Sequence, residues 1–73
     1  MGTDSLKLWI ARDKDGNLFL YGAEPILNKY FKDRFEIYGS VGNGAIKYLD
    51  KKLYPSVTWE NSPQLVELKL IEE

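Results

Sequence analysis

The residues that first suggest chemistry lie in ARDKDGNLFLYGAE, residues 11–24. Asp13, Asp15 and Asn17 alternate as the first oxygen ligands of a calcium-binding loop do, and Glu24 stands where such a loop places its bidentate carboxylate. That chemistry needs a glycine at the sixth loop position for the sharp turn, and helices on both flanks. Here the sixth position is Leu18, the glycine comes two residues earlier as Gly16, and the flanking residues alternate with the period of strands. The segment is therefore expected to be a hairpin turn, with Gly16 in the left-handed conformation that closes a three-residue loop. A second candidate, GSVGNGA at 39–45, has the glycine content of a phosphate cradle. Ala45 stands where the Walker pattern requires lysine, and the order GxxGxG is not that of a dinucleotide loop. It is expected to be an exposed hairpin tip.

The chain has no histidine and no cysteine. This removes the commonest general base, the commonest metal ligand and the strongest nucleophile, together with disulfides and thiolate metal sites. The eleven acidic residues fall on turns and outward strand positions, with no pair that the spacing places in one cleft. Neither an enzyme nor a cofactor is expected. A net charge of −1 argues against a protein that works chiefly by neutralising phosphates. The charge is nevertheless uneven: six Lys or Arg oppose three acids over residues 29–52, and four Glu oppose one Lys over residues 53–73. The stretch MGTDSLKLW lacks the basic and apolar regions of an export signal, and Leu6 stands where myristoylation requires Ser or Thr. With no long apolar run and no cysteine, a cytoplasmic protein away from membranes is expected.

Seventy-three residues, 44% of them hydrophobic and ten aromatic, suit one small domain over residues 1–73. LKLWIAR (6–12) and NLFLY (17–21) alternate as strands about the DKDG turn. Placing Asp13 opposite Asn17 sets Ala11 against Phe19, Ile10 against Leu20 and Trp9 against Tyr21. Residues 22–34 put Ile26, Leu27, Tyr30 and Phe31 on a helical stripe after Pro25, which suits a first helical turn; a short helix is expected there. RFEIY (34–38) and AIKYL (45–49) read as a second hairpin across Asn43-Gly44. VTW (57–59) is β-rich, and VELKLI (66–71) closes the chain as a strand with Val66, Leu68 and Leu70 inward. The expected fold is α+β, mainly antiparallel, with about five strands in hairpins and one short helix; a compact all-β domain is the alternative.

Trp9, Phe19 and Tyr21 share one face of the first hairpin and Leu8, Ile10, Leu18 and Leu20 the other. A chain this short is expected to cover one face with its helix and remaining strands, the other face being partly exposed or covered by something else. Read structurally, the rings are the core. Read functionally, an open aromatic face beside Lys7 and Lys14 docks a protein partner, because Trp and Tyr favour interface centres, or stacks unpaired bases as single-strand binders do. Protein binding through a sheet face or edge, with homodimerisation as its simplest form, is the leading expectation. Weak single-stranded nucleic-acid binding by Trp9, Phe19 and Tyr21 with those lysines is the alternative. Trp59, before Asn61-Ser62-Pro63, is expected to pack over the core while Asn61 and Ser62 bond the turn backbone.

ARDKDGNLFLY and PSVTWENSPQLVELKL together resemble a group of small proteins of gut Bacteroidetes and their phages, over 27 of the 73 residues. The resemblance carries over no activity, cofactor or functional residue. It implies a mobile-element setting, in which short proteins act by binding a host or phage protein.

Overall fold

The computed structural model describes residues 5–69. Among them are six strands: β1 (Ser5–Arg12), β2 (Leu18–Tyr21), β3 (Ile26–Leu27), β4 (Phe35–Glu36), β5 (Lys47–Leu49) and β6 (Gln64–Lys69). The main sheet has the order β5-β2-β1-β6 and every pairing in it is antiparallel; β3 and β4 form a separate two-stranded ladder. The architecture is thus mainly antiparallel β, and the all-β alternative fits.

The first hairpin has the register expected from its alternation, with Trp9 opposite Tyr21, Ile10 opposite Leu20 and Ala11 opposite Phe19. Its turn is closed by the amide of Asp13 donating to Asn17 O (2.8 Å) and that of Gly16 to Asp13 O (2.9 Å), with Gly16 at φ +98°. That φ is open to glycine at no steric cost.

No helix forms among the described residues, and the expected helix over 22–34 is replaced by the β3–β4 ladder and the loop between its strands. The reason is local. Asn28 Oδ1 accepts from the amides of both Tyr30 and Phe31 (2.8 Å each), so the side chain takes donors that a helix would aim at carbonyls. The apolar stripe that suggested a helix buries little, Tyr30 being 80% and Phe31 63% exposed. The second hairpin also differs from expectation. Phe35 pairs with Leu27 rather than with the 45–49 segment, and β5 adds to the outer side of β2, Tyr48 opposite Phe19. Asn43-Gly44 still turns the chain, with Ile37 N donating to Asn43 O (2.9 Å), but the strands it joins lie in different sheets.

Both faces of the main sheet are covered in the middle of the molecule. Ile10, Leu18 and Val57, with Leu20, Leu49 and Val66, make one cluster; Ala11, Tyr21 and Phe35, with Trp9, Phe19, Ile37, Ala45 and Trp59, make the other. Val57 and Trp59 belong to opposite clusters, although residues two apart in a strand would share a face. The β-rich VTW is accordingly not a strand but a link that passes over the end of β1. Arg12 and Ser62 hold it there: the Arg12 amide donates to Ser62 Oγ (2.9 Å), which donates to Thr58 O (2.6 Å). Asn61 spans the same turn, accepting from Thr58 N and donating to Ser56 O, both at 2.8 Å. Trp59 packs on Phe35 with ring centroids 5.3 Å apart.

Candidate functional site

Of the sequence-derived site residues, Trp9, Phe19 and Tyr21 come together in one cluster, whereas Lys7 and Lys14 do not join each other. Tyr21 is fully buried, with its hydroxyl donating to Phe35 O (3.2 Å). Burial pushes its phenol well above the ordinary range, and the nearby carboxylates of Asp13 and Glu36 push in the same direction. Trp9 and Phe19 are half-buried in the same cluster, so this aromatic face lies beneath Phe35, Ile37 and Trp59. Lys7 and Lys14 are exposed at opposite ends of the β1 region, roughly 20 Å apart at about 3.3 Å per extended residue. Three surfaces remain on which function can be built.

The first is the free end of the sheet. β2 pairs with β1 only as far back as Trp9, whereas β6 continues along it from Gln64 to Lys69. Ser5–Leu8 and Val66–Lys69 therefore form a two-stranded ribbon beyond the four-stranded part. Among the described residues no strand pairs with the outer side of β6, or with the β2 side of Ser5–Leu8. Leu6 (58% exposed) lies on this ribbon, and Leu65 (51% exposed) lies on β6 opposite Trp9, where the four-stranded part begins. The opposite edge, β5, is only three residues long and carries exposed Lys47, features that discourage pairing.

The second is a cleft of about 390 Å³ at the loop end, between the β1–β2 turn, the 28–34 loop and the 39–43 loop. Its lining includes four carboxylates (Asp13, Asp15, Asp33, Glu36), one guanidinium (Arg34) and three rings (Phe19, Phe31, Phe35). Asp13 is only 8% exposed, and its Oδ1 accepts from the Phe35 amide (2.9 Å). Burial raises its carboxyl above the ordinary value, outweighing the lowering by that hydrogen bond. At the rim Arg34 Nε donates to Asp33 Oδ1 (2.8 Å) and the guanidinium lies 4.7 Å from the Phe31 ring centre. The Arg34 hydrogen bond lowers the Asp33 carboxyl. Among the described residues no three acidic side chains stand close enough to hold a metal ion.

The third is a shallow basic groove beside the link, lined by Lys14, Lys51, Lys52 and Trp59, with Arg12 at its base. Arg12 is committed elsewhere. Its guanidinium donates to five backbone carbonyls: Val57 (2.6 Å), Gly16 (2.8 Å), Lys51 and Leu53 (3.0 Å each) and Tyr54 (3.2 Å). Sequence reasoning missed this groove and the acidic cleft alike, because the contributing residues are far apart in the chain. The one local signal for the groove was DKKLYP, whose adjacent lysines sit on an exposed turn.

Among the described residues no helix is long and apolar enough to cross a membrane. No protein-family model, curated protein or solved structure matches this chain.

Proposed function

We propose that this protein is a non-enzymatic binding module that takes a protein partner by strand addition at the free edge of β6, a second copy of itself being the simplest partner. The observation that carries this reading is the ribbon of Ser5–Leu8 and Val66–Lys69. A two-stranded ribbon is marginal in water by itself, and its unpaired amides and carbonyls are a template for another strand. With both sheet faces covered in the middle of the molecule, edge contact is favoured over face contact. The cytoplasmic setting expected from the lack of cysteine belongs to the same proposal.

The test is a pull-down of the tagged protein from host lysate, at low and high salt and with nuclease, alongside light scattering of the purified protein. Wild type is expected to retain one protein, or to dimerise, through both treatments. The double variant Leu6→Lys with Leu65→Lys, which charges two exposed positions, is expected to lose that association while keeping its melting temperature. Equal association by the two proteins overturns the reading. A nucleic-acid reading at a place other than the Trp9, Phe19 and Tyr21 face draws its support from Lys14, Lys51 and Lys52 around Trp59 and predicts binding that falls steeply with salt.

A further inference from the structure

We propose that the loop-end cleft is a binding site for an organic cation of the guanidinium class, supplied either by a free small molecule or by an arginine side chain of a protein partner. The floor is the strongest observation. Asp13 is nine-tenths buried and only its Oδ1 is engaged, by the Phe35 amide. Among the described residues nothing donates to Oδ2, and no fully buried side-chain oxygen or nitrogen there lacks a partner; Oδ2 therefore keeps some exposure to solvent, on a residue that lines the cleft. An acceptor held at the base of a cavity by a backbone amide is fixed in place before any ligand arrives, which lowers the ordering cost of binding.

The walls set the ligand class. Four carboxylates against one guanidinium leave the cleft with three more negative than positive groups, so an anion is repelled. The acids are too dispersed for a metal ion, whereas a delocalised cation needs no tight ligand shell. Phe19, Phe31 and Phe35 line the same space, and ring faces attract flat cations that shed water easily. Arg34 shows that chemistry in place at the rim, bonded to Asp33 and stacked near Phe31. The volume of about 390 Å³ falls within the roughly 300–1,000 Å³ of small-ligand pockets. The proposal does not rest on strand addition at β6, which lies at the other end of the sheet.

The experiment is an NMR titration of the isotope-labelled protein with agmatine and, separately, with an arginine tripeptide blocked at both ends, at constant ionic strength. Saturable shifts are expected at the amides of residues 13–16 and 28–36. Binding by agmatine alone assigns a free ligand, and binding by the peptide, alone or more tightly, assigns a partner side chain. Asp13→Asn, which keeps an acceptor for the Phe35 amide, is expected to bind at least about tenfold more weakly, the loss that one charge-assisted hydrogen bond implies. Phe31→Ala, at an exposed position that the fold does not need, is expected to weaken binding as well, and Leu65→Lys to leave it unchanged. No saturable shift with either probe, the same shifts with sodium chloride, or undiminished binding by both cleft variants overturns the proposal.

Discussion

Replacing Arg12 by Met keeps the aliphatic stem and removes every donor, and so tests what holds residues 50–57 against the sheet. Five carbonyls lose their partner, of which Val57 O and Gly16 O are part-buried and the other three face solvent. A part-buried acceptor left unpaired costs about 1–2 kcal/mol, and an exposed one a few tenths because water replaces the donor. The total is about 3 kcal/mol. A domain of this length has about 4–11 kcal/mol of stability in all, so the melting temperature should fall by about 12–24 °C at about 4–8 °C per kcal/mol. Arg12→Lys should recover roughly half, since one ammonium has three donors and cannot span five carbonyls. Circular dichroism gives the melting temperatures. Hydrogen exchange gives the location, with the Leu53 and Val57 amides, which donate to Asp50 O and Tyr54 O, exchanging fastest in the variant. A melting temperature within about 3 °C of wild type for Arg12→Met would refute the reasoning.

Three further perturbations probe the fold. Because burial raises the Asp13 carboxyl above its ordinary 3.8, the folded state holds that proton more tightly than the unfolded state, and stability falls as pH rises from 3.8 through the folded value. Asp13→Asn should therefore melt above wild type at neutral pH, with the gap closing toward low pH; a gap that widens on acidification counts against the assignment. Gly44 has φ +72°, and a Cβ there would lie 2.8 Å from Ser40 Oγ and 2.9 Å from Ile37 Cβ. Gly44→Ala should cost about 2 kcal/mol or more, against about 1 kcal/mol for Gly42→Ala, which has similar φ and open space; denaturant midpoints that coincide would remove the steric argument. Trp59→Ala should cost about 2–3 kcal/mol, below the value for a fully buried tryptophan, while Tyr38→Ala, at an exposed position, should change the thermal midpoint little.

The first hairpin was legible because two independent signals agree: alternation on both sides of the turn and a glycine placed where the loop needs positive φ. Where only one signal was present the outcome was mixed: alternation alone marked the closing strand, now β6, whereas helical spacing and a turn dipeptide misled. Ile26, Leu27, Tyr30 and Phe31 have helical spacing, but spacing implies a helix only if something covers the stripe, and here Asn28 captures the amides first. Asn43-Gly44 does make a turn, yet a turn does not specify which sheet the chain joins afterwards. The cleft was visible only as the Asp13 and Asp15 pair that had suggested calcium. Its other walls come from residues 19, 28–36 and 42–43, brought together by the β3–β4 ladder that the sequence hid as a helix. Arg12 reads as an ordinary charge at a strand end, and no local pattern announces a guanidinium bonded to carbonyls some forty residues away.

Where function can sit follows from how so short a chain covers its sheet. A domain of this size buries only roughly 60% of the surface of its unfolded chain, and here that burial is divided between two small clusters on opposite faces. Neither cover is a packed helix, so each needs polar anchors: Arg12 and Ser62 for the link on one side, Asp13 and Tyr21 for Phe35 of β4 on the other. Those anchors fix the middle of the molecule and use up both sheet faces. What remains available is peripheral, the ribbon edge at one end and the loop cleft at the other. A partner that engaged both would have to run the length of the β1 strand, so Leu6→Lys and Asp13→Asn should weaken such a partner independently, with additive effects in a double-mutant cycle. Strong coupling between the two substitutions would instead place both residues in one contact and contradict the separation of the two ends.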